Sequence, residues 1–181
     1  MLKEVWTEER LEEVRRLYEA SFPESEKKPF SFMLQKRQEG FFDILAIENG
    51  QGEFCGLAIM LLSGDLALLD YLAIAQKHQG SGLGGETLGE LRKRYGAEKI
   101  VVEIERTTGA AGETAQNAKD RLRRKAFYLR NGMKPTGLLV ELMGVEMEVL
   151  TYGRELSFQE YFHMYHRIMG DRTANMVRPA E

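Results

Sequence analysis

Gln79-Gly80-Ser81-Gly82-Leu83-Gly84 is the stretch of this 181-residue chain whose residue types and spacing point most directly to chemistry. It follows an apolar run, Leu66 to Ile74, that reads as a strand, and it opens a helical run, Gly84 to Tyr95. A strand, a glycine turn and a helix start leave several main-chain N–H groups unpaired and aimed at one point. The helix dipole adds positive potential there, so the arrangement attracts phosphate. Glycine is needed because a Cβ would hold the anion away and forbid some of the dihedrals. The plainer alternative is a tight surface turn. A Walker loop does not fit, since no lysine ends the motif. Gly80, Gly82 and Gly85 match dinucleotide-fingerprint spacing, with Glu103 or Glu105 as its acid, but that unit would begin deep inside the chain after at least two other strands.

Carboxylates supply the second signal. Glu103 and Glu105 stand two apart in Lys99 to Glu105, whose Ile100, Val101 and Val102 read as a buried strand, so both project from one face. Buried without partners they would be costly. The pattern therefore predicts a wet cleft that attracts an ammonium group, where either carboxylate accepts a proton directly or through water. The alternative leaves Glu105 in solvent and pairs Glu103 with an arginine of Arg121 to Arg124, a run that otherwise reads as a solvated helix face. Asp70, among leucines of the central strand, is a third candidate, with a structural hydrogen bond equally open. Lys77 and His78 either add positive charge beside the glycine loop or are solvated turn residues. Cys55 sits in a strand-like run and reads as a buried thiol rather than a nucleophile. His163 and His166 are three apart without a partner ligand in view, so no metal site is expected.

The elements that must position these groups follow from periodicity and turn chemistry. Thr7 caps a helix to Ala20 with apolar positions at Leu11, Val14, Leu17 and Tyr18; Pro23 to Pro29 is a charged loop; Phe30 to Glu39 is a second helix. Strands are predicted at Phe41–Glu48, Glu53–Leu62 and Leu66–Ile74, joined by Asn49-Gly50-Gln51-Gly52 and Ser63-Gly64-Asp65. The glycine loop and its helix make the next strand, Lys99–Glu105, parallel to Leu66–Ile74. Thr107 to Thr114 reads as a mobile loop, and Ala115 to Asn131 as a helix closed by Gly132. Strands at Thr136–Met143 and Glu146–Tyr152, a Ser157-capped helix from Phe158 to Met169 and a polar tail complete the chain. The fold class is α/β, a mixed sheet with helices on its faces.

Net charge is −3 and pI near 5.8, which argues against a nucleic-acid partner that relies on phosphate neutralisation. A single cysteine precludes an internal disulfide and fits a reducing compartment. No apolar run reaches membrane-span length, and Met1 to Arg16 lacks the apolar centre of a signal peptide, so a cytoplasmic location without a membrane partner is expected.

With the elements in this order, the chain resembles the GNAT superfamily of acetyl-CoA-dependent N-acetyltransferases. Leu72-Ala73-Ile74 ends a strand before the loop. Gln79 to Gly84 fits the family's Arg/Gln-x-x-Gly-x-Gly/Ala pattern. Phe127-Tyr128-Leu129-Arg130-Asn131-Gly132-Met133 is similar to its Phe-Tyr-x-x-x-Gly-Phe, with Met133 in place of the last Phe. The segment between Glu105 and Arg121 is longer than usual. The resemblance implies a mostly antiparallel sheet of about six to seven strands with a splayed parallel pair. It implies one domain over residues 1–155, with 156–181 packed on it or extending from it. Main-chain groups of Leu72, Ala73 and Ile74 would bond the pantetheine arm of acetyl-CoA, and those of Gln79, Gly80, Ser81, Gly82, Leu83 and Gly84 its diphosphate. Tyr128 would also contact the coenzyme and act as general acid. Asn117 stands where some members place a coenzyme-contacting asparagine, although a helix cap or loop role is the simpler reading. No metal is implied. The acceptor would be a primary amine on a small molecule or peptide, cationic if the carboxylates line its pocket, and the protein a monomer or homodimer. A coenzyme-binding sensor of the same fold is the non-catalytic alternative.

Overall fold

The structure, a computed structural model, describes residues 1–24, 26–107 and 115–180. It divides into two compact units, Met1–Leu62 with Leu69–Gly96, and Ser63–Leu68 with Ala97–Glu181.

The first unit begins with β1 (Leu2–Glu4) and α1 (Glu8–Ser21). Thr7 caps α1 by accepting from the Arg10 N–H at 3.2 Å, and the helix buries Val14 and Tyr18 completely. α2 (Phe30–Gln38) follows, then β2 (Phe42–Glu48), β3 (Phe54–Ser63) and β4 (Leu66–Ile74). β1–β2 and β2–β3 pair antiparallel, with a bulge at Ile47/Glu48. The strand interiors form the core, with Leu45, Ala46, Leu57, Ala58, Ile59, Met60 and Leu61 fully buried. Cys55 is also fully buried, its thiol donating to the Glu53 carbonyl at 3.2 Å, as expected for a core thiol. A turn at Gln76–His78 leads to α3 (Leu83–Tyr95), which buries Leu88 and Leu91.

The second unit holds the start of β4 and then β5 (Ile100–Glu105), α4 (Ala115–Arg130), β6 (Lys134–Leu142) and β7 (Val145–Thr151). It continues with α5 (Phe158–Met169), α6 (Thr173–Met176) and β8 (Val177–Pro179). The expected parallel pair is present, registered at Ala67↔Ile100 and Leu68↔Val101. β5–β7, β6–β7 and β6–β8 are antiparallel. α5 opens with a full capping box between Ser157 and Glu160, whose carboxyl is pulled down to about 2 chiefly by the Ser157 N–H and hydroxyl. Tyr161, Met164, Tyr165 and Ile168 form its buried face.

Strand order in the mixed sheet is β1-β2-β3-β4-β5-β7-β6-β8. Of these strands, β1 and β8 were not expected. Each is only three residues long and carries no alternation to read. What read as a polar tail is α6 and β8, and β8 pairs at Leu142↔Val177. Other element ends match the sequence reading to within one or two residues.

Candidate active site

In the first unit the glycine stretch is an exposed turn from the end of β4 to the start of α3. Gly80 has φ +80° and Gly82 φ +90°, a backbone that side-chain-bearing residues rarely adopt. A Cβ at either would meet open space, so it is the dihedrals, not crowding, that demand glycine within the chain itself. Two side chains brace the turn. Ser81 Oγ donates to the His78 carbonyl at 2.6 Å, and Gln79 Nε2 donates to the Ile74 carbonyl at 3.0 Å. The Gln79 N–H is spent on Gln76, whereas Gly85 and Glu86 turn back to Gly82. Between them, among the described residues, the N–H groups of Gly80, Ser81, Gly82, Leu83 and Gly84 have no acceptor. That is a solvent-facing row of donors at a helix start, suited to an anion with several oxygens.

Charge beside the turn is already compensated. Lys77 forms an ion pair with Glu53, and His78 Nε2 lies 3.5 Å from the same carboxylate. The Lys77 ammonium holds the Glu53 carboxyl below its usual range.

β4 shows which of its groups a ligand can reach. Burial alternates along its second half, with Tyr71 and Ala73 buried and Asp70, Leu72 and Ile74 part-exposed. The Ala73 carbonyl is turned toward β3, where a Cβ on Gly56 would collide with it, and the Ala75 N–H likewise bonds Cys55. By the period of two, the main-chain groups of Leu72 and Ile74 face the opposite edge. Leu72 and Ile74 therefore have main-chain groups aimed away from β3, and Ala73 does not.

Asp70 is not a free base. Lys28 Nζ bonds both its oxygens, at 2.8 and 2.9 Å, and the Asp70 side chain is 7% exposed. Tyr71 accepts from the Lys28 N–H at 3.0 Å and donates to the Glu26 carbonyl at 2.8 Å, while Tyr18 donates to the Lys28 carbonyl at 2.9 Å. Burial pushes both phenols up, reinforced at Tyr71 by the Asp70 charge. The pair spans 42 residues of sequence, and a lone aspartate among apolar neighbours signals only that some partner exists.

In the second unit, Tyr128 lies near the end of α4. Gly132, at φ +90°, reverses the chain so that the Met133 N–H bonds the Tyr128 carbonyl at 3.1 Å and Met133 is buried. An apolar side chain suffices there, which accounts for methionine. Tyr128 is 7% exposed with its ring edge-on to Phe127 at 5.1 Å, and its hydroxyl has no hydrogen-bond partner among the described residues. Burial pushes its phenol up to about 12, with Arg124 pulling the other way and Tyr152 adding to the rise.

Each β5 carboxylate has a partner. Glu105 forms an ion pair with Arg121, and Tyr165 of α5 donates to Glu103 at 3.0 Å from each oxygen. The arginine run does meet a β5 carboxylate, through Arg121 and Glu105. Tyr165, 62 residues from Glu103, left no sign in the sequence. Lys125 of the same run pairs with Glu148, which also accepts from Thr107 N–H and Oγ1 at 3.0 and 2.7 Å. Asn117 is exposed in the first turn of α4, within the helix and not a cap or loop residue. Of the loop read at Thr107 to Thr114, residues 108–114 lie outside the described residues. Among the described residues, no group of three His, Cys, Asp or Glu side chains is arranged to hold a metal ion, and no helix is long and apolar enough to cross a membrane.

The mixed, mostly antiparallel sheet with its parallel β4–β5 pair and flanking helices is the fold seen in solved GNAT acetyltransferases. No family model matches the sequence, and no curated protein matches it either. The likeness lies in solved structures. A protein described as a GNAT-family acetyltransferase from Bacteroides thetaiotaomicron is similar at 17% identity and TM-score 0.70, over 93% of this chain and 95% of that one. An aminoglycoside 6′-N-acetyltransferase complexed with coenzyme A is similar at 13% identity and TM-score 0.63, over 87% and 99%. The spermidine N-acetyltransferase of Vibrio cholerae, in complex with CoA and spermine, is similar at 15% identity and TM-score 0.59, over 83% and 92%.

Proposed function

We propose that this protein is an N-acetyltransferase that moves an acetyl group from acetyl-CoA to a primary amine of a small molecule or peptide by direct transfer. The observation that carries this reading is the row of unspent N–H groups from Gly80 to Gly84 at the start of α3. It fits a diphosphate by main chain alone, which is why an acidic protein needs no cluster of cations there. When bound, acetyl-CoA supplies a thioester whose acyl carbon an amine takes in exchange for the thiolate.

The rest is the work of side and main chains. Leu72 and Ile74, with main-chain groups aimed away from β3, orient the acyl arm. Tyr128 keeps its proton through neutral pH and gives it to the departing sulfur. Glu103, held in one orientation by Tyr165, takes the proton the amine must lose, directly or through water. Glu105 fixes α4 through Arg121. A non-catalytic coenzyme sensor remains the second reading, favoured by the partners already placed on both β5 carboxylates. Thiol release from acetyl-CoA across a panel of primary amines separates the two. The enzyme reading expects release that requires both protein and amine; coenzyme binding without release for any amine contradicts it.

A further inference from the structure

Lys28 is not used by the mechanism above, yet Asp70 holds its ammonium at the part-exposed face of β4. Asp70 shares that face with Leu72 and Ile74. Lys28 spends N–H groups on both Asp70 oxygens, and its ammonium lies 5.3 Å from the centre of the Tyr71 ring. Its main chain is pinned on both sides by Tyr18 and Tyr71. Asp70 is the more deeply buried partner, at 7% against 18% exposure for Lys28. What the face offers an incoming molecule is therefore the ammonium, with at most one N–H of its three left to give. The carboxylate beneath is the less exposed partner, and each of its oxygens already accepts an N–H of the ammonium.

We infer that Lys28 is a specificity-determining residue that binds a carboxylate of the acceptor, so that the substrate is a carboxylate-bearing amine, such as an amino acid, and not a polyamine. The inference rests on the transferase reading and gives it a substrate class. It reverses the expectation of a cationic acceptor, which depended on unpaired carboxylates. A preordered ammonium with a partner behind it forms a charge-assisted bond without first having to be localised. A second ammonium brought to the same spot meets repulsion.

The test is kcat/KM for thiol release by the full chain with saturating acetyl-CoA. Amino acids of graded length are each compared with their own carboxamide, and spermidine is included. A carboxamide's amine loses its proton more readily than the amino acid's, so electronic effects run against the expected result. The best acid should exceed its carboxamide by roughly tenfold or more. Lys28→Arg should keep that ratio, and Lys28→Met should bring it to about one. Because Lys28→Met leaves a buried carboxylate unpaired, Lys28→Met combined with Asp70→Asn provides a folded check and should lose the ratio equally. A preference for spermidine or for carboxamides overturns the inference, as does an acid preference that survives both methionine variants. Failure of every amine overturns the transferase reading and this inference with it, whereas transfer without acid preference overturns this inference alone.

Discussion

Tyr128→Phe lowers the rate of thiol release by about a hundredfold while leaving coenzyme affinity within about threefold, because only proton donation is removed. The hydroxyl bonds nothing among the described residues, so its loss orphans no donor or acceptor. The ring keeps its edge contact with Phe127, and stability should change by less than about 1 kcal/mol. The sign of the pH dependence follows from burial. Desolvation disfavours the phenolate, so the acid stays protonated until pH approaches about 12. The wild-type rate should then rise with pH as the amine loses its proton and show no descending limb below about pH 10. Stopped-flow release of thiol from both proteins checks this. A variant within about threefold of wild type, or a wild-type descending limb near neutrality, removes Tyr128 from the acid role.

Gly82→Ala has the second large effect, and it acts on binding. At φ +90° an alanine costs about 1–2 kcal/mol of backbone energy, although its methyl meets nothing within the protein. The turn can relax only by re-aiming the N–H groups of Gly82 and Leu83, and the methyl also sits where an anion would approach. Coenzyme affinity should fall by roughly tenfold or more, and Gly82→Asp should fall further because it sets a negative charge among the donors. Gly40→Ala, also at positive φ and open to solvent but remote in sequence from the turn, is the control for strain alone. If Gly40→Ala and Gly82→Ala lose the same stability and neither loses affinity, the turn is only a turn.

What could be read from the sequence was what neighbours in sequence determine. The glycine turn, the Thr7 and Ser157 caps, the β2–β3 hairpin and the reversal at Gly132 each depend on a few adjacent residues, and each stands as expected. The parallel pair was legible because a crossover through a helix allows little else. Side-chain partnerships across the fold were not. Lys28 with Asp70 and Tyr165 with Glu103 join residues that no period or spacing relates. Glu105 shows the limit clearly. Its arginine was in view, but which of two carboxylates on one strand face an arginine reaches depends on how α4 lies against β5. β1 and β8 escaped because three residues cannot display a pattern.

Titration of coenzyme A into the 181-residue chain, followed by calorimetry beside the same titration with pantetheine, tests the central claim most directly. If the N–H groups from Gly80 to Gly84 grip the diphosphate, coenzyme A should bind one to one with Kd of about 1–100 μM, and pantetheine, which lacks the phosphates, at least roughly tenfold more weakly. No heat with coenzyme A, or equal affinity for the two, would contradict it.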